Sequence, residues 1–122
     1  VPGAWAEKYK AYLDLDVPDD RRGCLQDIHW SMGAMGYFPT YTLGNLYGAA
    51  FFEAASSAIG DLSDQIARGE FDALRHWLTE NIHVHGSRFE SEPLGRRVTG
   101  HGLDAAPLMR HLSGKLEPIY GL

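Results

Sequence analysis

From Pro39 to Ile59 the residues Leu43, Leu46, Tyr47, Ala50, Phe51, Ala54 and Ala58 recur at the i, i+3, i+4, i+7 spacing of a helix. Ala49, Phe52 and Ala55 make the opposite side apolar too. A helix apolar on most faces is expected to be buried. Gly44 and Gly48 interrupt it, each costing about 1 kcal/mol relative to alanine in a helix interior. Their spacing of four puts both on one face, where another helix or a bound chain can approach closely.

The same reading places the other elements. Trp5, Tyr9, Tyr12 and Leu13 predict an amphipathic helix over residues 2–15, opened by Pro2. DVPDDRR (16–22) is a polar connector, and residues 24–30 form one or two helical turns. A short helix over 61–68 closes at Gly69. Phe71, Leu74, Trp77, Leu78 and Ile82 stripe a helix over 70–84, with Gly86 as its cap. A short helix over 91–98 ends at Gly100. Asp104 caps a last helix carrying Leu108, Leu112 and Leu116, and Tyr120 in the tail docks on the core. No strand and no repeat emerges, so the expected class is all-α.

Composition narrows the function. A chain of 122 residues makes one region with a core, and 44% hydrophobic with 22% charged residues is ordinary for a globular protein. A net charge of −5 without a basic stripe argues against nucleic acid as a partner. The single Cys24 allows no internal disulfide and suits the cytoplasm, and no run approaches the ~20 apolar residues of a membrane span. The chain opens at Val1 rather than Met, which suggests a fragment or a processed product.

The densest chemistry lies in GCLQDIHWSMGAMGYFPTYTLGN, Gly23 to Asn45. Gln26, Asp27 and His29 form a candidate catalytic or substrate-binding loop; helix capping around a buried, hydrogen-bonded histidine is the plainer account. Tyr37 and Tyr41 flank Pro39 at the start of the long helix. A phenol there can donate to a developing oxyanion, although tyrosine is also an ordinary core residue. His83 and His85 invite a metal reading, but on a helix they point about 200° apart. His76, His101 and His111 read as surface residues. H-E-x-x-H, G-x-S-x-G, a phosphate-binding glycine loop and paired cysteines are all absent.

GCLQDIHW at Gly23–Trp30 resembles the G-x-x-Q-D-x-H-W signature of the carboxypeptidase Taq family, also called thermostable carboxypeptidase 1. The resemblance continues through GYFPTYTLGNLYGAAFFEAA (36–55), LTENIHVHGSRFESEPLGRRVTG (78–100) and the terminal YGL. It implies a mostly helical, zincin-like peptidase of roughly four times this length, usually a homodimer, that removes single residues from peptide C-termini. Its zinc, or another divalent metal such as cobalt, would be held by an H-E-x-x-H helix and a later glutamate, with the motif's own glutamate as general base. None of these ligands occurs here. The chain would then be a C-terminal fragment, inactive alone and binding no metal, whose partners are the missing N-terminal part and the C-terminus of a peptide substrate.

The family is similar to the wider group of helical zinc peptidases that includes angiotensin-converting enzyme. By that similarity His29 hydrogen-bonds the substrate backbone near the scissile carbonyl, and Tyr41 stabilises the oxyanion. Tyr37 binds the substrate carboxylate, while Gln26 and Asp27 line the site or orient His29. Two other readings compete. One is a non-catalytic helical interaction or structural domain on the same scaffold. The other is a small metal-binding protein using His83 and His85, which has no third ligand nearby.

Overall fold

A computed structural model describes residues 1–121, and among them the secondary structure is entirely helical. Six α-helices follow in order: α1 (Pro2–Leu13), α2 (Pro39–Ile59), α3 (Leu62–Ala67), α4 (Asp72–Asn81), α5 (Ser91–Thr99) and α6 (Ala106–Tyr120). The backbone divides into two compact units, Val1–Thr40 and Tyr41–Leu122.

In the first unit, α1 starts on Pro2 and ends at Leu13, where Asp14 turns left-handed at φ 53°. Trp5 stacks on Tyr9 with centroids 5.2 Å apart and meets Trp30 edge-on at 6.1 Å. Asp19 caps the next turn by accepting from the Arg22 N–H at 2.8 Å. The Arg22 guanidinium grips the same carboxylate and holds it below the usual range. Gly23, the first residue of the signature stretch, is buried where a side chain has no room: a Cβ would lie 2.5 Å from Val17 Cγ1 and 3.1 Å from the Asp19 carbonyl.

In the second unit, α2 runs over the residues its periodicity predicts, but it is not a buried helix. Ala50 and Ala55 are buried, whereas Leu43 is 43% and Phe52 37% exposed. The described elements of this unit cover one side of α2 and leave the rest to solvent. Tyr47 packs against Phe51 and beneath Gly95 of α5. Arg110 of α6 clasps Glu53 of α2 through two hydrogen bonds of 3.1 and 2.8 Å. Between these helices lies a cleft of about 490 Å³ lined by Gly44, Gly48, Phe52, Leu108, His111 and Leu112. Among the described residues nothing lies within 4 Å of where a Cβ would stand on either glycine, so none of them uses that close-approach face.

Three other expectations shift. The helix expected over 70–84 stops at Asn81, whose side-chain amide donates to the Trp77 carbonyl at 2.8 Å and competes with the ladder. A 3₁₀ turn, His83–His85, follows, so Gly86 closes that turn rather than α4. Ala105 is the cap residue of α6, although Asp104 Oδ1 still accepts from the Ala106 N–H at 3.1 Å. Tyr120 belongs to α6 and is 71% exposed, so it does not dock on a core; Leu122 lies outside the described residues.

Candidate functional site

The signature stretch folds as tight 3₁₀ turns, Cys24–Gln26 and Ile28–Met32, hinged at an extended Asp27 (φ −80°, ψ 98°). Asx residues favour such hinges because the side chain can satisfy the backbone of the following turn. Asp27 Oδ1 does so, accepting from the His29 backbone N–H at 3.0 Å. The same oxygen stands 2.6 Å from His29 Nδ1. Both residues are 8% exposed, so the pair is buried and mutually satisfied.

Chemistry assigns the proton. An ionised carboxylate can only accept, so Nδ1 carries the hydrogen and donates it to Asp27.

The chain returns over that ring. Gly33 takes the left-handed conformation (φ 73°) that a glycine adopts without strain, and the Ala34 N–H closes onto the His29 carbonyl at 2.9 Å. The reversal brings the Tyr37 ring to 5.0 Å from the imidazole at a 30° tilt, and Phe38 edge-on at 5.5 Å. Thr40 then ties back, its N–H and hydroxyl both donating to the Tyr37 carbonyl at 2.9 and 2.6 Å. Asp27, His29 and Tyr37 are therefore one cluster with Phe38 as a second aromatic wall. Phe38 was not among the sequence candidates; its place beside Tyr37 in the YFP triplet was the available signal.

Gln26 is exposed, and its amide donates to the Arg21 carbonyl at 2.6 Å, bracing the loop from outside the cluster. Tyr41 sits in the first turn of α2, 56% exposed, at the helix end whose dipole favours negative charge. His85 meets Phe89 edge-on at 5.2 Å. Among the described residues no group of three or more His, Cys, Asp or Glu could hold a metal ion. Nor is any described helix long and apolar enough to cross a membrane.

The family profile described as carboxypeptidase Taq (M32) metallopeptidase matches residues 1–116. The chain belongs to this family. It is 46% identical over 121 residues to thermostable carboxypeptidase 1 of Thermus thermophilus and 36% identical over 120 residues to carboxypeptidase 1 of Bacillus subtilis. These alignments cover 99% and 98% of the chain. Among solved structures, the M32 carboxypeptidase from Deinococcus radiodurans superposes with a TM-score of 0.91 at 40% identity over 99% of the chain. Metallocarboxypeptidase 1 of Trypanosoma cruzi superposes with a TM-score of 0.86 at 38% identity over 93% of the chain. In each case the chain spans 24% of the relative's length. The family implies a catalytic metal, but the residues described here do not supply a site for one.

Proposed function

We propose that this M32 chain supplies the substrate-side, C-terminal part of a metallocarboxypeptidase that releases single amino acids from peptide C-termini. The supporting observation is the buried Asp27–His29 pair roofed by Tyr37, in a chain whose relatives are carboxypeptidases. His29 hydrogen-bonds the substrate backbone beside the bond to be cut. Tyr37, half exposed above the imidazole, meets the terminal carboxylate through its phenol. Tyr41 donates to the oxygen that gains charge when water adds to the carbonyl. Gln26 lines the loop's outer side. The metal, zinc on the family resemblance, is held by residues beyond those described, which leaves this chain inactive alone. A cytoplasmic homodimer completes the proposal.

The test is Tyr41→Phe in the full-length enzyme. Removing one oxyanion donor typically lowers kcat about 100–1,000-fold. That loss in kcat, with KM little changed, is the expected result. An unchanged kcat removes Tyr41 from the mechanism. If His29→Ala is equally silent, the chain returns to a non-catalytic helical domain on the same scaffold.

A further inference from the structure

We infer that Arg88, Arg97 and His85, gathered around the ring of Phe89, form a site for a carboxylate carried beside an apolar group. The site lies in the second unit and uses none of the side chains assigned to the reaction above. It depends neither on the metal nor on peptidase chemistry.

The segment after the 3₁₀ turn His83–His85 builds it. The Arg88 N–H donates to the His85 carbonyl at 3.1 Å, and the reversal sets Phe89 edge-on to the His85 imidazole at 5.2 Å. The Arg88 guanidinium carbon stands over the Phe89 ring, 6.0 Å from its centroid. α5 follows, and its last turn brings Arg97 over the same ring at 5.9 Å. His85 and Phe89 are half-buried, whereas both arginines are exposed. A guanidinium is drawn to the ring by its quadrupole and still has N–H groups to donate.

What singles these arginines out is the missing acid. Arg22, Arg68, Arg75, Arg96 and Arg110 each hold a carboxylate at 2.7 to 2.9 Å. Among the described residues Arg88 and Arg97 hold none, in a chain with 16 acidic residues against 11 lysines and arginines. Glu90, next to Phe89 in sequence, pairs with neither, and Glu92 of α5 is taken by Arg96 at 2.9 Å. Two guanidiniums at one ring repel each other, and neither can shed its charge. An anion bound to both offsets that repulsion.

The ring selects among anions. A guanidinium fork suits carboxylate and phosphate alike. The half-buried Phe89 favours a ligand with an apolar group next to its charge. An acidic side chain in a peptide, beside an aliphatic or aromatic residue, has that form. Such a carboxylate has two sources, a peptide free in solution or an acidic residue elsewhere in the full-length enzyme.

Arginine labelled with nitrogen-15 at Nε reads both groups by NMR, and Arg88→Gln and Arg97→Gln assign their signals. The probe is phenylpropionate, compared with phenylpropionamide and inorganic phosphate, added to the 122-residue chain and to the full-length enzyme. In the 122-residue chain phenylpropionate is expected to move both signals to saturation. The amide moves neither, and phosphate binds more weakly. Each glutamine variant should weaken binding about 3- to 10-fold, between the loss of an exposed ion pair and that of a charge-assisted hydrogen bond. Arg97→Lys keeps the charge without the fork and should recover only part of the affinity. Arg21→Gln, at an exposed arginine of the other unit, is expected to leave it unchanged. Circular dichroism of every variant should match the parent, because these side chains are exposed.

In the full-length enzyme, signals that still respond to the probe assign the site to a peptide in solution. Signals already at the bound position before any probe is added assign the carboxylate to the enzyme itself. Signals that do neither overturn the inference. So does the absence of a saturable shift in the 122-residue chain, an amide as effective as the acid, a tighter fit for phosphate, or an arginine that can be replaced without loss of affinity.

Discussion

Gly95 lies inside α5 and is buried against Tyr47, where a Cβ would stand 2.7 Å from Cε1 of the ring. Alanine there gains helix propensity but meets a rigid ring on a neighbouring helix. Overpacking of this kind typically costs about 1–3 kcal/mol. Gly95→Ala is therefore expected to lower stability in denaturant melts despite the propensity gain. Tyr47→Leu in the same background should recover part of the loss, a non-additivity that marks contact. If the single variant is neutral or stabilising, the contact is soft. In SEPLGRRVTG this glycine reads only as a weak point in a helix, because its neighbour is 48 residues away in sequence. The loop is different. Asp27 and His29 are two apart, so cap and pair are local and legible. The closure of Tyr37 over the imidazole depends on the left-handed turn at Gly33, which the sequence announces only as a glycine.

Among the elements, α2 was legible to the residue because its apolar repeat is long and Pro39 marks its start. The end of α4 was not, since a single asparagine side chain bonding back to Trp77 ends it a turn early. Nor was the clasp between α2 and α6, whose partners Glu53 and Arg110 lie 57 residues apart. Hydrogen bonds from Arg110 hold the Glu53 carboxyl below its ordinary range, partly opposed by desolvation, with smaller charge attraction from Arg110 and His101. In the unfolded chain Glu53 takes its proton at a higher pH. The clasp therefore stabilises the fold above the ordinary carboxylate range and is lost as pH falls through the lowered native value. Arg110, raised further by Glu53, stays charged throughout. Glu53→Gln should thus melt earlier than the parent near neutrality at low salt, with the gap narrowing on acidification and in high salt. A gap independent of both pH and salt would assign the effect to packing rather than charge.

Across the whole chain, apolar surface is poorly enclosed. Among the described residues the largest side chain wholly out of water is Leu62, and Ala55 is fully enclosed as well. On α6, Met109 is 58%, Ile119 67% and Tyr120 71% exposed, with Leu112 and Leu116 also open. Soluble monomers rarely leave so many large apolar residues along one helix, because water disfavours each of them. The all-α class was readable from periodicity, and so was an excess of apolar surface in helix 39–59 over what so few helices can cover; which side chains on α6 stay open is decided by packing. The 122-residue chain by itself should therefore self-associate. Sedimentation velocity is expected to show a concentration-dependent rise in mass over the micromolar range, together with binding of an apolar fluorescent dye. Placing charges on the exposed stripe, as in Leu116→Glu with Ile119→Lys, should shift the population toward monomer while circular dichroism keeps its helix content. A parent chain that sediments as one monomer across that range, without dye binding, would mean that these side chains are shielded in solution by a packing different from the one described.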